Sequence, residues 1–235
     1  MNIVIIDTET ANTIEQPMPY DFGWAIVDNE TGEILVERSF VCAEIFLDKE
    51  LMSSAYFAEK IPNYWEEIKQ GKRILKSLVN IRKILWADMK KYEAKKVGAY
   101  NMGFDKRATL NDIRYVTGSW LKWFFPFGTE FFCIWHMACT SFLNTVDYVT
   151  FAKNNNFVSE AGNILTNAEC AYRYITKEIN FAESHTGLED VKIEIAIYLN
   201  CLKTGSAEMK DNLNSACWQK VQRIRKQIEL EETFK

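Results

Sequence analysis

Asp7 and Glu9 stand two residues apart at the end of the apolar run Asn2-Ile-Val-Ile-Ile. On a strand, side chains i and i+2 share a face, so both carboxylates can converge on one cation. Carboxylate oxygens are hard ligands that suit Mg²⁺ or Mn²⁺ better than zinc. A solvated strand end that caps a turn would place the same two residues there, so the pair alone fixes nothing. Asp105 follows Val97-Gly-Ala-Tyr-Asn101-Met-Gly-Phe104, where a short strand gives way to a helix. An Asp in a first helical turn complements the helix dipole; it also shares a sheet edge with Asp7 if the two strands are parallel neighbours. The third candidate is His185-Thr-Gly-Leu-Glu-Asp190. It puts an imidazole in a loop and a carboxylate in the next helix's first turn, which suits acid–base work beside a metal; the alternative is an exposed loop histidine with no role.

The elements that must position these groups read as an α/β chain. Residues 2–7 form a buried, β-branched strand. Residues 20–27 and 33–41, separated by Asp28-Asn-Glu-Thr-Gly32, form an antiparallel hairpin. A short helix is expected over 48–59, punctuated by Pro62, and a longer one over 73–92, where Ile74, Leu78, Ile81, Leu85 and Met89 recur at helical spacing. Residues 97–101 read as a strand, 104–116 as a helix, and 133–135 as a strand leading into a helix that ends at 142. Residues 161–176 and 188–202 read as helices. This order predicts a mixed five-stranded sheet, with an antiparallel first hairpin and later parallel strands, flanked by helices. Residues 1–204 form the domain and 205–235 a polar, helix-prone C-terminal extension.

A strand-borne Asp-x-Glu, an Asn-x-x-x-Asp after a later strand and a His-x₄-Asp entering a late helix together resemble the three motifs of the DnaQ-like (DEDDh) 3′–5′ exonuclease superfamily. The pattern spans residues 2–204 and is met at all five key positions. The resemblance implies a ribonuclease H-like fold in which Asp7, Glu9, Asp105 and Asp190 hold two divalent ions, Mg²⁺ or Mn²⁺, with His185 as general base. Paired ions can clamp the attacking and leaving oxygens of a phosphoryl displacement. The implied products are nucleoside 5′-monophosphates from the 3′ ends of single-stranded DNA or RNA. Thr8 and Thr10 would face the terminal sugar, and a residue near Ile14 would wedge against the last base. Asn101 and Phe104 would shape the pocket, with core packing the alternative for Phe104. The chain departs from the commonest family version in having Ala11-Asn12 after Thr10, with no glycine. Proofreading beside a polymerase, RNA trimming of the oligoribonuclease type and a catalytically silent binding module are the functions open to this fold. Intact adjacent carboxylates, which repel phosphate, disfavour the last.

Composition narrows the setting. The chain has 235 residues, 28 Lys+Arg against 32 Asp+Glu, and a net charge of −4. Such a balance disfavours a protein that coats duplex DNA. It says little against an enzyme whose acids are neutralised by divalent ions. Six scattered cysteines without a paired spacing point to reduced thiols. The start lacks a basic leader and no apolar run is long enough to span a bilayer, so a cytoplasmic protein of a bacterial or phage-infected cell is expected. Ten basic residues between Lys69 and Lys96 form either a solvated helix face or a phosphate-steering surface. The aromatic segment 120–135 is expected in the core or in self-association, with docking of a partner such as a polymerase, or base stacking, as alternatives. His136 reads as structural.

Overall fold

β1 (Asn2–Ala11) runs through the middle of a six-stranded sheet of order β4-β3-β2-β1-β5-β6. The structure is a computed structural model and describes residues 1–204 and 216–233. β2 (Met18–Asp28) pairs antiparallel with β1 and with β3 (Ile34–Cys42), giving the expected hairpin. β5 (Lys96–Ala99) lies parallel to β1 and to β6 (Glu130–Cys133). The sixth strand, β4 (Leu75–Lys76), pairs parallel with β3 at the edge. Sequence periodicity alone places it in a helix over 73–92. That helix, α4, starts only at Leu78 because Leu75 and Lys76 join the sheet, with the Val41 N–H donating to the carbonyl of the preceding Ile74.

The crossovers form two layers. On one face lie α1 (Ala43–Phe46), α2 (Lys49–Met52), a 3₁₀ turn (Ala58–Lys60), α3 (Ile61–Lys69), α4 (Leu78–Lys91) and α5 (Met102–Thr117). On the other lie α6 (Ile134–Ser141), α7 (Val146–Asn154), α8 (Ala168–Thr176), α9 (Gly187–Lys203) and α10 (Gln219–Thr233). β1 shows the pleat that separates them: Val4 and Ile6 face the first layer's core, Ile3 and Ile5 the second's.

Several boundaries differ from the sequence reading. Pro62 opens α3 instead of ending a helix, since a proline in the first turn loses no intrahelical bond. Residues 158–164 fold into a turn closed by a Val158–Ile164 bridge, so α8 begins only after the Asn167 cap. The strand expected at 133–135 lies earlier, and Ile134 is already helical. α7, opened by the Thr145 side chain accepting from the Tyr148 N–H, has no counterpart among the expected elements. Residues 205–215 of the expected C-terminal extension lie outside the described residues. α10 packs on α6 and α7, and the Gln222 side chain bonds both the N–H and the carbonyl of Ile164. All six cysteines are buried and free. Among the described residues, no helix is long and apolar enough to cross a membrane.

Candidate active site

The sequence-predicted acids converge where β1 passes between the layers. β1 stays paired with β2 through Ala11, so Asp7 and Glu9 belong to a central strand and not to a frayed end. They share the face of Ile3 and Ile5, toward α9; Thr8 projects from the opposite face, toward α5. There the Thr8 hydroxyl donates to Asp105 Oδ1 at 2.8 Å, joined by the Thr8 backbone N–H. The hydroxyl expected to meet the terminal sugar thus holds the third carboxylate in place. Asp105 is 3% exposed, in the first turn of α5.

α9 delivers the fourth acid through a close backbone approach. A Cβ on Gly23 would lie 2.1 Å from the Gly187 carbonyl carbon, and one on Gly187 would lie 2.6 Å from the Gly23 nitrogen. Gly23 faces Asp7 across the β1–β2 ladder, so the start of α9 rests directly on the strand pair carrying the acids. The Gly187 N–H donates to Asp21 Oδ2 at 3.1 Å. Asp21 is fully buried and is also held by the Tyr64 hydroxyl (2.6 Å) and the Arg73 guanidinium (2.9 Å). One turn into α9, Asp190 comes alongside Glu9 and His185: one potential ligand atom from each lies within 4.8 Å of the others.

The electrostatics are those of crowded carboxylates whose mutual repulsion the Lys60 ammonium offsets only in part. Burial, then Glu194, Glu9, Asp105 and Asp190 in turn, push the Asp7 carboxyl far above the usual range. Burial and the neighbouring Asp190 and Asp21 raise Glu9 to about 8. Burial also raises Asp105 to about 7 against the pull of its Thr8 bonds, and Asp190 to about 7 against the Ser184 hydrogen bond and Lys60. A hard-oxygen donor set this dense and this buried fits divalent cations.

Three contributors escaped the sequence reading. Glu194 lies one turn beyond Asp190 and is 2% exposed; its Oε1 accepts the Tyr100 N–H at 2.9 Å, while its Oε2 is buried without a hydrogen-bond partner. Its i+4 spacing from Asp190 on one helix face was the available signal. Lys60, at the end of the 3₁₀ turn, donates to the Ser184 carbonyl and lowers the Glu9 and Asp190 carboxyls. Phe57 stacks on His185, with ring centroids 4.1 Å apart and planes inclined by 13°. His185 has a left-handed backbone (φ 51°), and its Nδ1 lies 3.9 Å from Glu183. Burial first and Lys60 second push its pKa down.

A cavity of about 300 Å³ opens beside the acids, lined by Thr8, Glu9, Thr10, Thr13, Ile14, Tyr56, Phe57 and Phe104. Phe104 is half-buried on this wall and not in the core. Asn101 is not on the wall. It precedes α5 in a left-handed conformation (φ 75°), and its carbonyl accepts the Phe104 N–H. His136 lies on α6, away from this cavity's lining.

This mixed sheet, with its central acid-bearing strand and flanking helices, is ribonuclease H-like, and the chain has the fold of the DnaQ-like exonucleases. Among solved structures it is similar to the nuclease domain of 3′hExo, described as a DEDDh family member bound to rAMP. The two are 16% identical with a TM-score of 0.55, over 89% of this chain and 96% of that one. It is also similar to a 3′-exonuclease in a structure of histone mRNA stem-loop recognition (17% identity, TM-score 0.56, 87% of this chain and 64% of that one). A third is E. coli ExoI in a zinc-bound complex with single-stranded DNA (15% identity, TM-score 0.53). There the match covers 90% of this chain but 41% of that one, so this chain spans less than half the length of ExoI. No protein-family model and no curated protein matches the sequence.

Proposed function

We propose that the chain is a metal-dependent 3′–5′ exonuclease that hydrolyses single-stranded DNA or RNA to nucleoside 5′-monophosphates. The observation that carries this reading is the convergence of Asp7, Glu9, Asp105 and Asp190 with His185 beside a cavity walled by aromatic side chains. The four carboxylates would hold two divalent ions, Mg²⁺ or Mn²⁺, with Glu194 behind them. When bound, such ions lower the pKa of water and neutralise charge on the phosphate.

The chain's own residues do the rest. His185, kept neutral near pH 7 by burial and by Lys60, accepts the proton of the attacking water. Phe57 fixes the imidazole plane by stacking, and the Lys60 bond to the Ser184 carbonyl ties down the preceding residue. Thr8 aims Asp105. Phe104 and Ile14 enclose the terminal base, with the Thr10 backbone beside the sugar. A silent binding module would gain nothing from buried carboxylates that repel phosphate.

The test is a labelled single-stranded oligonucleotide, as DNA and as RNA, incubated with Mg²⁺, Mn²⁺ or EDTA. Mononucleotide release that requires metal and is lost in Asp7→Asn supports the reading. Absence of release from both polymers, or unchanged release by the variant, overturns it. Comparison of the two polymers also assigns DNA or RNA preference.

A further inference from the structure

Residues 118–129, between α5 and β6, present the most exposed aromatic surface on the described part of the molecule. Trp120 is 78% exposed, Trp123 57%, Leu121 89% and Phe127 fully so. Only part of the segment entered the core: Phe124 and Phe125 are buried. The exposed residues are nevertheless held in place from beneath. Trp86 Nε1 donates to the Phe124 carbonyl at 2.7 Å, and Arg82 Nε to the Trp123 carbonyl at 2.7 Å. The Arg114 guanidinium lies over Trp120 at 5.1 Å and near Trp123 at 6.0 Å.

Under this loop runs a groove of about 490 Å³ whose charged lining is Arg82, Lys106 and Lys122, with no carboxylate among its lining residues. In a chain of net charge −4 that local balance is informative. Arg82 stacks on Trp86 and Lys106 lies over Phe131, but no carboxylate of the groove neutralises either of them or Lys122, and an apolar helix or a second copy of this surface would bring none. A polyanion with flat apolar faces matches both the charge and the exposed rings, and that combination defines single-stranded nucleic acid. One helix, α5, runs between the groove and the acid cluster. α5 carries Asp105 and Phe104 at the cluster, then Lys106 and Thr109 on the groove wall. From Asp105 to Arg114 the helix advances roughly 14 Å at about 1.5 Å per residue, within reach of a strand a few nucleotides long.

We propose that this groove is a second nucleic-acid site, which holds the single-stranded segment 5′ of the nucleotide being removed. The proposal rests on the exonuclease reading for the direction of the strand. It predicts that long substrates bind at both places and a dinucleotide only at the acid cluster.

The test compares wild type with Lys122→Glu/Phe127→Ala, which changes two exposed side chains remote from the acids. Binding of a fluorescent single strand of about 16 nucleotides is measured in EDTA by anisotropy and by quenching of intrinsic tryptophan fluorescence, across a salt series. Dinucleotide hydrolysis is measured separately with Mn²⁺. The expected result is an affinity for the long strand reduced at least about tenfold and a shallower salt dependence, with unchanged dinucleotide turnover. Unchanged affinity for the long strand overturns the proposal. So does a parallel fall in dinucleotide turnover, which would make the loop structural. A wild-type dimer that becomes monomeric in the variant, with oligonucleotide affinity untouched, also overturns it and assigns the surface to self-association. If neither substrate is cleaved but the variant still loses affinity, the exonuclease reading fails while the second site stands.

Discussion

Gly187 packs its backbone against that of Gly23, with no room for a Cβ on either residue. This contact sets the start of α9 on the strand pair that carries Asp7, and so fixes how far Asp190 and His185 lie from Glu9.

Gly23→Ala should therefore damage both stability and catalysis. A methyl group forced between the backbones costs about 1–3 kcal/mol. Displacement of α9 by about 1 Å should lower kcat/KM on the order of 10²-fold. Thermal melts and kinetics on the same preparation check this. A variant that loses stability but keeps full kcat/KM would show that the contact does not place the acids.

Asp7→Asn should move stability and activity in opposite directions. Asp7 is surrounded by four carboxylates that repel its charge, so the neutral amide should raise the melting temperature in EDTA near pH 8. Activity should fall at least about a hundredfold. Lower stability in EDTA would contradict the repulsion inferred for this cluster.

The metal-free protein should lose stability as pH rises from about 4 to about 8. Glu9 titrates at about 8, and Asp105 and Asp190 at about 7, in the folded chain, against about 4 when unfolded. Over that window the folded state holds more protons, so raising the pH favours unfolding. Mg²⁺ or Mn²⁺ should restore the melting temperature, and more strongly near pH 8 than near pH 5, because cations compete with those protons. Melts with EDTA and with metal across the range provide the check.

His185→Ala should lower kcat by about 10²–10⁴-fold while leaving Mn²⁺ affinity, measured calorimetrically, unchanged. Loss of Mn²⁺ affinity would instead make the imidazole a ligand. Lys60→Met removes a positive charge that holds the His185 pKa down, whereas Glu169 and Glu59 act in the other direction. The acidic limb of the pH–rate profile should therefore move to higher pH in Lys60→Met.

What the sequence made legible was local. The apolar run of β1, the i, i+2 spacing of Asp7 and Glu9, and the first-turn placement of Asp105 and Asp190 each follow from a few consecutive residues. The partners that complete the site depend on contacts distant in the chain. Nothing near Lys60 or Phe57 signals that the 3₁₀ turn meets the loop before α9, and Gly23 reads as an unremarkable strand residue until Gly187 is seen against it. The same limit explains β4: Leu75 fits a helical stripe by spacing, and only the waiting edge of β3 draws it and Lys76 into the sheet.

The alternation along β1 has a consequence for the strand's length. Three successive residues serve opposite sides: Asp7 and Glu9 toward α9, and Thr8 toward Asp105 on α5. Insertion or deletion of one residue upstream in β1 would exchange the two faces, turning Thr8 toward α9 and a carboxylate toward Asp105. It would also swap Ile3 and Ile5 with Val4 and Ile6 between the two cores. A conservative substitution in β1 disturbs one core or one side chain at a time, whereas a change of length shifts both cores and the acid-bearing face at once.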